Sequence, residues 1–380
     1  MKPAIAGGNP VFKTRIPFIR LNMYDLWNKD SLRSRLSLMM DTGELTGGMD
    51  NADEFERRFA WEMDAGYGVS LSSCTSGLML AIQALGAKDV IMPSFTFSAT
   101  AHACRWNNCK ITFADIDDTL CIDPEDVKRK ITDKTDLILG VHMYGLPCDV
   151  ESLEEISEDY SIPVLYDAAH AVGSKVNGVG VGAYGEGNVF SFSPTKVLTT
   201  IEGGMLLTNS KSLSDKIKLD RAYSNLPDYT CERVGLSARM AEFNAAFGCE
   251  QVDDIKDIIA SRETSVDYYK ELLKDIPGVS FQKIPDGYTS SHKDFSIFIG
   301  DDFGHDRDYL ERALSAEGIP VKKYFTPPIH KLEIYRDCKA GVLKVTEDKA
   351  NRVLSLPIYS YMNPGTIEQI CFAIRRIHEY

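Results

Sequence analysis

Val164-Leu165-Tyr166-Asp167-Ala168-Ala169-His170, followed by Val189-Phe190-Ser191-Phe192-Ser193-Pro194-Thr195-Lys196 and by Glu202-Gly203-Gly204-Met205-Leu206-Leu207, is the stretch that decides the fold. Each short apolar run ends in a polar or glycine-containing loop. The same rhythm continues upstream, in Val90-Ile91-Met92, Ile111-Thr112-Phe113 and Leu137 to Val141, with helical stretches between the runs. Near-continuous apolar strands that alternate with helices predict an α/β sheet covered on both faces. Before the first run, Phe55, Phe59 and Met63 stand four apart and predict an amphipathic helix over 53–63.

The rhythm changes near residue 250. Ile255, Ile258, Ile259, Arg262, Val266, Tyr269 and Leu273 keep a helical period across a long segment. Strands are predicted after it at Val279-Ser280-Phe281 and at Phe295 to Phe298, then a helix near 306–317 and a last one from about Pro364. The expected architecture is a large, mostly parallel α/β domain over residues 1–250 and a small C-terminal α+β domain over 251–380, with the long helix joining them.

The chain has 380 residues and a net charge of -13, without a dense cluster of lysines and arginines, which speaks against nucleic acid as a partner. No apolar run approaches the roughly 18 residues that would span a bilayer. The N-terminus lacks the apolar stretch of a signal peptide, so a cytoplasmic protein with no membrane partner is expected. Nine scattered cysteines argue for reduced thiols. Cys104 and Cys109 are not followed by a second pair at zinc spacing, so no metal is expected.

Four features fall at loops after strands, where open α/β sheets place ligands. Ser72-Ser73-Cys74-Thr75-Ser76-Gly77 opens an apolar run, so small polar residues leave backbone N–H groups free at the positive end of a helix, a ready anion site. Taken alone it reads equally as an N-cap. Pro93-Ser94-Phe95-Thr96-Phe97 offers an aromatic that can lie on a planar cofactor or fill the core. Asp167 closes a buried strand, which is costly unless something cationic meets it; a protonated pyridine nitrogen is such a partner, and a helix cap is the plainer alternative. Lys196 sits in a tight loop between strands, where burial favours the neutral amine that forms Schiff bases. Ser191 and Ser193 flank it as phosphate donors. A solvated surface lysine is the ordinary alternative. Together the four supply a phosphate cradle, a ring face, a ring-nitrogen partner and an amine nucleophile, the set that pyridoxal 5'-phosphate requires.

The chain also resembles a family. The order S-S-C-T-S-G-L (72–78), P-S-F-T-F-S-A-T (93–100), V-H-M-Y-G (141–145), Y-D-A-A-H-A-V-G-S (166–174), S-F-S-P-T-K-V-L-T-T-I-E-G-G (191–204) and R-M-A-E-F-N-A-A-F-G (239–248) is similar to that of the DegT/DnrJ/EryC1/StrS sugar aminotransferases. The likeness runs from G-G-N-P-V-F (7–12) through K-K-Y-F-T-P-P-I-H (322–330) into L-S-L-P-I-Y (354–359). It implies the fold-type-I, aspartate-aminotransferase-like architecture and a homodimer with shared active sites. By motif, Lys196 would hold the cofactor and Asp167 would pair with its ring nitrogen. His170 would stand near the ring hydroxyl, Phe97 would stack on the ring, and Thr75, Ser76 and Ser191 would bind the phosphate. Two positions depart from the family pattern. Cys74 stands where Gly is common, and Ser237 stands where an Asn usually reaches the partner subunit's cofactor phosphate.

A dehydratase branch of the family carries His in place of the lysine, so Lys196 favours transamination, with L-glutamate as the implied amino donor. Lys322, Lys323, Tyr324 and His330 match the family's substrate loop, where the lysines would meet a pyrophosphate as point charges. The resemblance favours a nucleotide-linked 4-keto-6-deoxyhexose as acceptor, with dTDP-4-keto-6-deoxyglucose first. A keto-cyclitol or a 3-keto sugar is the second enzymatic reading. A pyridoxal-phosphate-binding regulator without turnover is the reading from another class.

Overall fold

The computed structural model describes residues 2–21, 29–43, 45, 50–231 and 233–380. Among the described residues thirteen strands form three sheets. β1 (Tyr67–Leu71), β2 (Asp89–Pro93), β3 (Lys110–Ala114), β4 (Leu137–Val141) and β5 (Val164–Asp167) precede two-residue strands β6 (Lys175–Val176) and β7 (Val179–Gly180). β8 (Gly187–Ser191) and β9 (Gly204–Thr208) complete the main sheet, in the order β1-β9-β8-β5-β4-β2-β3. Every neighbouring pair in it is parallel except those made by β9, which runs against both β1 and β8.

Period-2 alternation sorts the side chains of this sheet. Val90, Met92, Leu139, Leu165, Val189 and Leu206 join one buried cluster with the helix Cys74–Leu85. On the opposite face, Ile91, Ile138, Val164 and Tyr166 pack with Leu153 and Ile156 of the helix Val150–Tyr160, and Phe190, Met205 and Leu207 pack with Phe55, Phe59 and Met63. Both faces are covered, which is why these strands read as unbroken apolar runs. The helix predicted over 53–63 spans Asp50–Glu62.

The strand β10 (Val279–Phe281) pairs with β12 (Phe295–Ile299), and β12 with β13 (Val353–Leu356), in an antiparallel three-stranded sheet. The two-residue β11 (Tyr288–Thr289) joins β6 and β7 in the third sheet. The long helix runs Ile255–Leu273, as its period predicts, and sends Val266, Tyr269 and Leu273 into a core with Phe295, Ile297, Leu354 and Ile370. Val11, Phe12 and Ile16 from the N-terminal segment pack on this same second core. The segment is tied there by Ala4 and Val11 N–H groups donating to the Glu317 carboxylate, at 2.8 and 2.9 Å. Glu317 in turn pairs with buried Arg376. Among the described residues no helix is long and apolar enough to cross a membrane, and no cluster of side chains is suited to a metal.

Candidate active site

The carboxyl ends of β1, β2, β4, β5 and β8 converge, and the loop between β8 and β9 folds over them. Register explains the convergence: Val141 pairs with Asp167, Asp167 with Val189, and Leu71 with Gly204. Ser73 caps the helix that follows β1 by accepting from the Ser76 N–H at 3.1 Å. The turn into β9 comes down directly on this cap. A Cβ on Gly204 would lie 2.4 Å from the Ser73 carbonyl carbon and 2.5 Å from the Cys74 nitrogen, so only glycine fits.

A cavity of about 360 Å³ opens at this junction. Of the residues singled out by sequence, Thr75, Phe97, Asp167, His170, Ser191, Lys196 and Tyr324 line it, as does Ser193. Asp167 is 6% exposed. Its Oδ2 accepts from the Thr100 hydroxyl at 2.7 Å and its Oδ1 from the Ala169 N–H at 3.1 Å. Burial raises its pKa, and the Thr100 hydrogen bond only partly offsets that. Such a carboxyl calls for a cation. Burial likewise lowers the Lys196 amine to about 8, with the Lys293 charge adding to the effect and Asp294 opposing it. The imidazole of His170 is buried, and burial and then the charges of Lys196 and Lys293 hold its pKa well below the ordinary range. Its Nδ1 has no hydrogen-bond partner among the described residues. Its ring lies nearly parallel to Phe325, 10° between planes and 6.3 Å between centroids.

These features fit pyridoxal phosphate. A buried carboxyl with no ion pair among the described residues, an amine with a lowered pKa, an orphaned imidazole nitrogen and a helix start rich in hydroxyls all face one cavity. Asp167 and His170 would hold the ring, Thr75 and Ser191 the phosphate, and Lys196 the aldehyde carbon.

Five sequence candidates do not line this cavity. The Ser76 hydroxyl is taken up at the helix cap, donating to the Ser73 carbonyl at 2.8 Å. Ser237 is exposed, although its neighbour Ala238 accepts from the Ser72 N–H of the cradle at 2.7 Å. Lys322 and Lys323 line an adjacent open cavity of about 460 Å³, which shares Phe97, Tyr324 and Phe325 with the first. Lys323 pairs with Asp308 at 3.0 Å and Glu311 at 2.6 Å. His330 lines neither cavity. Its Nδ1 meets the Ser94 hydroxyl at 2.7 Å and its Nε2 meets Glu347 at 3.2 Å, so both ring nitrogens tie the loop to the fold.

The structure adds groups that the motifs did not mark. Lys293, 5% exposed, lines the cavity and makes a two-pronged pair with buried Asp294 at 2.8 and 2.9 Å. Its Nζ lies 5.3 Å from the centre of the Tyr324 ring. Phe325 completes the walls, and fully buried Thr100 stands behind Asp167; both lie within quoted motifs, but only their partners reveal what they do.

The chain is similar to known proteins. The sequence profile of the DegT/DnrJ/EryC1/StrS aminotransferase family matches residues 28–375. The dTDP-4-amino-4,6-dideoxy-D-glucose transaminase of Shigella dysenteriae is 33% identical over 90% of this chain and 94% of its own. The crystal structure of DesI with its TDP-sugar product superposes with a TM-score of 0.90 at 32% identity, covering 98% of this chain and 94% of that one. DesV of S. venezuelae, in complex with a ketimine intermediate, gives 0.91 at 26% identity, covering 97% and 100%. With its lysine, its buried aspartate and their cavity in place, the chain belongs to the DegT/DnrJ/EryC1/StrS aminotransferase family and is a pyridoxal-phosphate-dependent transaminase.

Proposed function

We propose that this enzyme moves an amino group from L-glutamate to a nucleotide-linked keto-deoxy sugar, dTDP-4-keto-6-deoxyglucose first among them, giving dTDP-4-amino-4,6-dideoxyglucose. The observation that carries this reading is the pair of adjoining cavities. The Lys196 cavity is closed on one side by β-strand ends and walled on the other by Phe97, Tyr324 and Phe325, which also wall the open cavity of about 460 Å³. An acceptor with a reacting sugar and a bulky nucleotide suits a small cavity opening beside a larger one. Relatives named for nucleotide-sugar transamination support the same reading.

When bound, the cofactor supplies an electron-accepting ring that stabilises negative charge on the donor's α-carbon. The chain does the rest. Thr100 and Ala169 fix the Asp167 carboxylate, so its remaining lone pairs keep a proton at the ring nitrogen. Lys196 Nζ, uncharged above about pH 8, takes the α-proton of the donor and returns a proton at the sugar carbon. Neutral His170 offers its unpartnered Nδ1 without adding charge beside the amine. In this reading residues 1–250 hold the cofactor, 251–380 form the smaller part, and the protein works as a homodimer in which exposed Ser237 faces a partner's site.

The test is to load the purified protein with cofactor and L-glutamate and follow candidate acceptors by mass spectrometry. The expected result is one new amine on a keto-sugar nucleotide. Amination of a free keto-cyclitol, with no nucleotide sugar turned over, would overturn the acceptor assignment.

A further inference from the structure

Thr195 and Lys196 line a second, smaller cavity, of about 140 Å³. Its other walls come from distant segments and carry charge: Arg20 and Lys29 from the N-terminal part, Asp254 and Arg262 from the start of the long helix and the turn before it. Asp254, its one carboxylate among the described residues, is already paired with Lys29 at 2.8 Å. Arg20 is exposed and has no acidic partner among the described residues. Arg262 is the unusual member. It is 5% exposed, and its Nε and Nη2 each donate at 2.9 Å, to the carbonyls of His292 and Lys293, while Nη1 reaches the Ser360 hydroxyl at 3.4 Å. A guanidinium has more N–H groups than these three contacts use. No carboxylate pairs with it among the described residues, and burial lowers its pKa to about 10, with Asp294 opposing from a distance. A buried charge of this kind is costly until an anion meets it. In a chain of net charge -13, this is a locally positive compartment that touches the catalytic lysine.

We propose that this compartment binds the carboxylate of the amino donor, with Arg262 and Arg20 as its anchoring side chains. The proposal rests on the donor being an amino acid, as read above, and adds where that donor is held. Size and shape favour a carboxylate. The compartment is well under half the volume of the one assigned to the cofactor, too cramped for a nucleoside diphosphate, and a planar guanidinium matches a carboxylate in a two-pronged grip. Position favours the donor. Because Lys196 lines both compartments, a carboxylate held here keeps its own amine at the lysine, while the aromatic-walled cavities on the other side stay open for the sugar.

The test is calorimetric titration of the cofactor-loaded enzyme with glutarate, a dicarboxylate without an amine, and separately with thymidine diphosphate. Wild type is compared with Arg20→Gln and Arg262→Lys. Each substitution is expected to loosen glutarate about tenfold, or about 1.4 kcal/mol, and to leave thymidine diphosphate unchanged. Arg20 is on the surface, so Arg20→Gln decides the matter even if Arg262→Lys folds poorly. Unchanged glutarate affinity in Arg20→Gln overturns the proposal, and so does a loss confined to thymidine diphosphate, which would assign the compartment to the acceptor's anion. If glutarate binding follows the arginines yet L-glutamate never gives up its amine, the compartment stands and the choice of glutamate falls.

Discussion

Lys196 and Lys293 share a cavity closed off by strand ends, whereas Lys322 and Lys323 stand on the rim of an open one. In the first region burial dominates: Lys196 is lowered to about 8, and Lys293 keeps its place beside a carboxylate that is itself buried. On the rim, Lys323 is raised above the ordinary lysine value, chiefly by its hydrogen bond to Glu311, and its partner Asp308 is half exposed. Lys322 is exposed, and its backbone rather than its charge is engaged, pairing with Ser355. What a lysine can do here is set by its surroundings: enclosed, it is lowered toward the neutral amine or pairs with a buried carboxylate, and on the rim it becomes one half of a surface ion pair.

The sharpest test of that contrast is Lys196→Ala against Lys323→Ala. The first should cut transamination by about 10³-fold or more, and borohydride should no longer fix the cofactor to the chain. The second should leave the glutamate half-reaction near wild type. A borohydride label mapped to any other lysine would break the comparison.

Next in size is stability. Lys293→Met strands the Asp294 carboxylate in the interior and should cost about 3–5 kcal/mol in denaturant unfolding. The double change Lys293→Met with Asp294→Asn should recover much of that loss. Removing Lys323 from its solvent-exposed pair should cost no more than about 1 kcal/mol. Equal losses at the two sites would erase the distinction between enclosure and rim.

Asp167→Asn follows, with an expected loss of about 10²-fold in the half-reaction while cofactor is retained. A pH measurement on cofactor-free protein checks the same enclosure from another side. The folded Lys196 value, about 8, lies below that of an unfolded lysine. The unfolded chain therefore binds more protons between the two values, so the penalty is fully present below pH 8 and is relieved as pH rises toward the ordinary lysine value. The reaction of Lys196 with an amine-directed reagent should half-saturate near pH 8. The smallest effect belongs to the rim. Lys322→Ala should weaken sugar-nucleotide binding by a few-fold, about 1 kcal/mol, and the loss should fade with salt. Lys323→Ala should do less, since Asp308 and Glu311 already hold its charge.

The sequence made the enclosure largely legible because its chief residues are local. Asp167 ends one apolar run and Lys196 lies in the loop after another. The main sheet was legible for the same reason, except β1. Gly68 interrupts it and its first residue is exposed, so it lacks the unbroken apolar signal and owes its place to pairing with β9. The sequence does not mark Lys293 and Asp294, and shows Arg262 only as part of a helical period, because folding, not spacing, carries them to Lys196. The partners of Lys323 and His330 were hidden for the converse reason. These partners, Glu311 and Glu347, lie on helices that no motif connects to the loop.

The N-terminal segment has a bearing on how the protein is made. Ala4 finds its partner in Glu317, 313 residues further along the chain. At ribosomal rates of about 5–20 residues per second, that partner emerges roughly 15–60 seconds later. Val11, Phe12 and Ile16 have no core to enter until the helix Ile255–Leu273 and the strands after it are made, while the main sheet already has all its strands by residue 208. A nascent chain stalled between those two points is therefore the form in which chaperone capture through the N-terminal segment should peak, and release should follow synthesis of the helix Pro364–His378, which brings Arg376 to Glu317.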